Sequence, residues 1–217
     1  TGSGLAVPDW PLSYGQWMPP MQGGVFFEHG HRMIAGLVAL MVWALAFLAW
    51  KRSSPPWVRR LTLAAGFAVL LQAALGGLTV LYGLAKPVSV LHACLAQALF
   101  STLVFLAVAT APEWARPAGP VDAARALRLR RFAVAAALAV FVQLVLGAAY
   151  RHGLSGVAWH FAGAFVAAAL ILAAAFRGLS DFGRDAGLAP VAGGLAAAIL
   201  AQVFLGVLAL GTRSPIV

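Results

Sequence analysis

Six ionisable side chains in this sequence sit where apolar residues would be expected. Glu28, His29, His31 and Arg32 fall in 26-FFEHGHRMIAG-36, His92 in 90-VLHACLAQ-97 and His160 in 158-AWHFAGA-164, each at the start of a long apolar run. In hydrocarbon such a group costs about 3 kcal/mol even on lenient scales, so each one asks for a partner or a function. Glu28 and His31 are three apart, which on a helix puts them on one face, roughly 5 Å from each other. His92 opens a different apolar run. Two neutral imidazoles facing each other from two helices can take both axial positions of a haem iron, and the planar fork of Arg32 suits a propionate. Glu28 then lies close enough to act on a substrate or a proton. The plainer alternative is that Glu28 and His31 satisfy each other at a helix entrance. His29, turned about 100° from Glu28, is expected at the membrane interface rather than on a metal. His160 has no visible partner unless His152 reaches over from the adjoining loop.

The elements that must carry these residues follow from composition. Of 217 residues, 62% are hydrophobic and 10% charged, with a mean hydropathy of +0.91, too little charge to coat a water-soluble domain. The single cysteine, Cys94, excludes an intrachain disulfide framework and any multi-cysteine metal or iron-sulfur site. Crossing roughly 30 Å of hydrocarbon takes about 20 helical residues. Six runs qualify, near Phe26 to Trp50, Leu61 to Tyr82, Ser89 to Ala111, Phe132 to Tyr150, Val157 to Phe176 and Leu188 to Leu210. The fold class is therefore all-α, a polytopic membrane helical bundle. Its organisation reads as an N-terminal half over 1–111, a linker over 112–131 and a C-terminal half over 132–217. Trp50, Trp57, Trp114 and Trp159, near span ends, read as interfacial anchors, and Cys94 as a packing residue.

Basic residues give the orientation. Lys51, Arg52, Arg59, Arg60, Arg116, Arg125, Arg128, Arg130, Arg131, Arg177 and Arg184 fall in the first, third and fifth breaks, against Arg32, Lys86, Arg151 and Arg213 on the other side. Positive charge concentrates on the cytoplasmic side, so the N-terminal loop, His31, His92 and His160 are expected near the outer face of a cell inner or plasma membrane. The same distribution explains the net charge of +9 without a nucleic-acid partner. Thr1 begins an outward-facing loop with no translocation signal, and 211-GTRSPIV-217 stops just beyond a span, so both ends are expected to be cut.

A repeat emerges when the spans are overlaid. Gln72-Ala-Ala-Leu-Gly76, Gln143-Leu-Val-Leu-Gly147 and Gln202-Val-Phe-Leu-Gly206 occupy corresponding helices, and the first two precede helices opening with His92 and His160. The pattern suggests a duplicated helix-pair unit. The Q-x-x-L-G segment itself admits two readings, close packing of helices in lipid or direct contact with a ligand.

Taken in order, 1-TGSGLAVPDWP-11, the Glu28-x-x-His31-Arg32 entrance, 72-QAALGGLTV-80 followed by His92, and the Gln143/Gly147 unit followed by His160 resemble the haem A synthases of cytochrome oxidase assembly. The resemblance covers nearly the whole chain. It implies an eight-helix membrane oxidoreductase of two four-helix halves, of which six helices are present, oxidising the ring methyl of haem O to the formyl group of haem A by successive hydroxylation. It maps Glu28, His31 and His92 onto the substrate haem site as catalytic residues and His160 onto a haem b cofactor, whose second ligand would come from a helix beyond this chain. Haem O synthase and an electron acceptor are the implied partners, and a homo-oligomer is left open. Many members carry a cysteine pair around P-D-W-P. Here Val7 and Ser13 stand nearby, so the chain resembles the cysteine-lacking members. The outer loop before His160 is shorter than its counterpart before His92, leaving Arg151 and His152 without a role. Two other readings remain: a b-type bis-histidine cytochrome for electron transfer, which needs no intramembrane carboxylate, and a non-catalytic haem or oxidase assembly factor.

Overall fold

A computed structural model describes residues 5–112, 122–183 and 187–211. Trp114, Arg116, Arg184 and Arg213, used above as anchors or topology markers, lie outside the described residues. Six helices follow in order: α1 (Gly23–Lys51), α2 (Pro56–Leu81), α3 (Lys86–Ala109), α4 (Ala123–Arg151), α5 (Val157–Phe182) and α6 (Leu188–Gly211). All six are long and apolar enough to cross a membrane. Their large side chains point outward, with Phe165 78% and Phe204 66% exposed, an arrangement stable only where the surroundings are themselves apolar.

Local chemistry sets the helix ends. Pro55 caps α2 and Pro56 opens it, and Pro87 sits in the first turn of α3, where a missing N–H costs nothing. Helices α2 and α4 end alike. Gly83 (φ +59°) follows α2, with its N–H donating to the Val80 carbonyl and that of Leu84 to Thr79; Gly153 (φ +66°) follows α4, with its N–H donating to Tyr150 and that of Leu154 to Ala149. Each is a glycine-closed helix end that satisfies otherwise orphaned carbonyls. The residues 123–131, expected as linker, are helical. Asp122 is the reason: its carboxylate accepts from the Ala124 and Arg125 N–H groups, capping α4 nine residues before the apolar run begins at Phe132.

The chain forms two compact units, Thr1–Pro117 and Ala118–Val217. In the first, α2 packs against both α1 and α3, while α1 and α3 make no close backbone approach to each other. Side chains from all three meet at two levels, Val42, Ala65, Val69 and Leu99 in one cluster and Ala49, Val58 and Leu106 in the next. Gly66 admits the Trp43 ring, whose atoms lie 3.2 Å from where a Cβ would stand. In the second unit, α5 packs on α4 and α6, and its buried residues are the small Ala167, Ala174, Ala175 and Gly178. A Cβ on Gly178 would lie 2.8 Å from that of Ala192, so α5 and α6 approach through small residues, the usual means of packing helices in lipid.

Candidate functional site

The loop before α1 is built as a cap for the start of that helix. Ser13 and Gln16 exchange backbone hydrogen bonds at 3.0 Å around Tyr14 (φ +54°) and Gly15 (φ +69°), a two-residue reverse turn. The Asp9 carboxylate accepts from the Gly15 and Tyr14 N–H groups at 2.8 and 2.7 Å; the Gly15 N–H is the main cause holding its carboxyl below the usual carboxylate range. The Trp10 ring lies over Gly77 of α2, so close that a Cβ there would stand 2.6 Å from it.

Glu28 and Arg32 receive this loop. Arg32 donates to Glu28 Oε1 at 2.7 Å and, through its other terminal nitrogen, to the carbonyls of Asp9 and Leu12 at 2.8 and 2.7 Å. Glu28 Oε2 accepts the Val7 N–H at 3.0 Å. The partner of Glu28 is thus Arg32, four residues on, and not His31. The Arg32 guanidinium is engaged with Glu28 and loop carbonyls. His29, expected at the interface, is instead buried at 6% exposure with Nδ1 2.7 Å from Ser13 Oγ, because the loop folds back over it. Val7 and Ser13 are both fully buried here.

His31 of α1 is exposed, and His92 of α3 is half-buried. Residues 33–38 of α1 are all exposed, so the helix has no face covered just below His31. The orientation of His92 is set by α2. Its Nδ1 lies 3.2 Å from the Gln72 carbonyl oxygen, which can only accept, so Nδ1 carries the proton and Nε2 the lone pair. The Gln72 side-chain amide donates to the His92 carbonyl at 3.0 Å and lies 3.4 Å from its Nε2. Gly76, one turn on, makes room: a Cβ there would lie 3.1 Å from His92 Cε1.

The second unit repeats this contact. Gln143 Nε2 of α4 lies 2.9 Å from His160 Nδ1 of α5, and a Cβ on Gly147 would meet the His160 ring at 3.3 Å. Tyr150 stacks on the same imidazole at 5.7 Å and 14°. The contacts of His160 run to Gln143, Tyr150 and Phe161, and not to His152, which closes α4 as its C-cap. In α6, Gln202 is exposed and nothing lies within 4 Å of a Cβ on Gly206 among the described residues.

His31, His92 and His160 fall within the stretch that matches a known family, since the family model described as cytochrome oxidase assembly protein covers residues 21–163. The chain belongs to this family. It is 37% identical over 111 residues to a heme A synthase of Bacillus pumilus, covering 50% of this chain and 36% of the relative. A heme A synthase of Symbiobacterium thermophilum is 33% identical over 162 residues, 70% of this chain and 51% of the relative. A protoheme IX farnesyltransferase of Halobacterium salinarum is 31% identical over 104 residues, 48% of this chain and 24% of the relative. The chain therefore spans between a third and a half of the length of the heme A synthases it matches. No solved structure matches it.

Sequence reasoning singled out Glu28, His31, Arg32 and His92 but paired Glu28 with His31, where the structure pairs it with Arg32. It missed the loop contacts, Asp9 to its turn and Ser13 to His29, because nothing in spacing shows that a polar loop returns to a helix start 16 residues later. It also missed that Gln72 and Gln143 hold the histidines. The spacings of 20 and 17 residues across a helix hairpin were the available signal.

Proposed function

We propose that this chain is part of a haem A synthase, a multi-pass membrane oxidoreductase that oxidises the methyl group of haem O to a formyl group by successive hydroxylation, the first giving an alcohol and the second an aldehyde after loss of water. The observation that carries the reading is His92, half-buried at the start of α3 with its Nδ1 on the Gln72 carbonyl, in the same compact unit as the exposed His31 and a stretch of α1 left uncovered. Membership of the family supports the reaction class.

The residues fit a porphyrin iron. Two imidazoles suffice as axial ligands, and the Gln72 carbonyl already fixes His92 in the tautomer whose Nε2 is bare. His31 and His92 would hold the substrate haem, and His160 would supply one ligand to a haem b cofactor, whose chemistry is electron transfer. Glu28, whose two oxygens accept hydrogen bonds from Arg32 and the Val7 N–H, would stabilise positive charge developing at the reacting carbon. Arg32 serves the site by holding Glu28 and the loop in place. Haem O synthase would supply the substrate, and the farnesyltransferase relative supports that link; an electron acceptor completes the balance. Positive charge in the first, third and fifth breaks supports an orientation with the loop and His31 at the outer side of the plasma membrane.

Pigment extracted from membranes that express the complete gene and are supplied with haem O should contain formyl haem, and His31→Ala should abolish it. Haem b alone in the wild type would make the protein an electron carrier. Formation of formyl haem at the wild-type rate by His31→Ala would remove His31 from the site.

A further inference from the structure

The two Gln-His contacts look alike and work differently. In the first unit the Nδ1 proton of His92 goes to the backbone carbonyl of Gln72, which every residue type at that position would provide. In the second unit, among the described residues, the hydrogen-bond partner of the imidazole is a side chain and not a backbone carbonyl: His160 Nδ1 meets the Gln143 side-chain amide at 2.9 Å. With the amide N–H donating, the lone pair of His160 is at Nδ1 and its Nε2 bears the proton. An iron at Nε2 requires the opposite tautomer, with a proton on Nδ1 and an acceptor to receive it.

That acceptor is on the same amide. Gln143 Oε1 is buried with no hydrogen-bond partner among the described residues, and it lies against Gly163, where a Cβ would clash with it. A half-turn about the last side-chain bond exchanges the two ends of the amide, bringing Oε1 to Nδ1 and carrying the NH2 group toward the space that Gly163 leaves. Gly147 clears the ring itself, since a Cβ there would lie 3.3 Å from Cε1 and 3.4 Å from Nδ1. We propose that Gln143 is a positioning residue that selects the tautomer His160 presents to a metalloporphyrin, turning its amide to accept the Nδ1 proton, whereas the Gln72 side chain has no such duty because its own carbonyl performs it. The inference rests on the haem reading given above.

The test uses the full-length protein purified from haem-replete cells, with His160→Ala identifying the haem signal that depends on this histidine. Readouts are haem retention, the low-spin ferric EPR signal and the midpoint potential. Gln143→Leu should weaken haem retention by about 10- to 100-fold, the usual cost of losing an outer partner of a metal-bound histidine, and should shift the EPR signal. Gln143→Glu should restore retention and lower the midpoint potential, because a carboxylate accepting the Nδ1 proton makes the imidazole a stronger donor. Gln72→Leu, which keeps the backbone carbonyl on His92 Nδ1, should disturb the EPR signal of the His92 site less than Gln143→Leu disturbs that of the His160 site. The proposal is overturned if Gln143→Leu keeps the wild-type signal, potential and retention, if Gln143→Glu fails to restore what Gln143→Leu loses, or if Gln72→Leu is as disruptive as Gln143→Leu. A wild-type protein without haem overturns the haem reading itself, and this proposal with it.

Discussion

Arg32 shows how one side chain can tie a loop to a membrane helix. Its guanidinium bonds Glu28 and the carbonyls of Asp9 and Leu12 at once, a geometry open to a planar fork and closed to a lysine ammonium. The Arg32 and Glu28 side chains are 15% and 9% exposed, so removing one partner leaves the other nearly buried and unpaired. Arg32→Ala should therefore destabilise the loop and helix start by about 3–5 kcal/mol, read as rapid proteolysis within residues 5–22 while the helices stay protected. Arg32→Lys should recover only part of that protection. The glycines beside the histidines make a second residue-scale prediction. Gly76→Ala puts a methyl 3.1 Å from His92 Cε1 and Gly147→Ala puts one 3.3 Å from His160 Cε1, so both should displace an imidazole, the first more than the second. Alanine favours helix by about 1 kcal/mol over glycine, so thermal stability should hold or rise while haem retention falls. At this scale the sequence showed which residue types were unusual but not their partners. Glu28 to His31 was the nearer guess by helical spacing, and the return of the loop made Arg32 the partner instead.

Elements were the most legible level, because hydrophobic length alone marks a membrane span. The six expected runs correspond to α1 through α6, and the disagreements are at the ends. Helix α4 extends through Arg125, Arg128, Arg130 and Arg131, residues too polar for the span yet good helix formers once Asp122 caps them. Helix α5 likewise runs past Arg177 to Phe182. The capping carboxylate titrates with a definite sign. The Ala124 N–H, followed by that of Arg125, holds the Asp122 carboxyl below its usual range. A group depressed on folding stabilises the fold above its unfolded value and loses that contribution as pH falls through its folded value. Amide hydrogen exchange at Ala124 and Arg125 should thus be slow relative to an Asp122→Ala variant at neutral pH and converge with it below the ordinary carboxylate range. Asp122→Asn, which caps without titrating, should remove the pH dependence.

For the whole molecule, topology is what would join His31 and His92 to the proposed function, since under that reading a substrate haem must be met on one side of the bilayer. Eleven of the fifteen Lys and Arg residues lie in the breaks assigned to the cytoplasm. The structure adds which residues form the turns: 52–55 between α1 and α2, and 82–85 and 152–156, each following a Q-x-x-L-G helix. The positive-inside bias thereby yields a direct expectation for single cysteines in a Cys94→Ser background. Trp17→Cys in the loop, 83% exposed, and Leu154→Cys after α4, 51% exposed, should react with a membrane-impermeant thiol reagent in intact cells. Ser54→Cys between α1 and α2 should react only after the membrane is opened. Labelling of Ser54→Cys from outside, with Trp17→Cys protected, would reverse the orientation and put the His31 and His92 pair on the cytoplasmic side, where haem would have to reach it from the opposite leaflet.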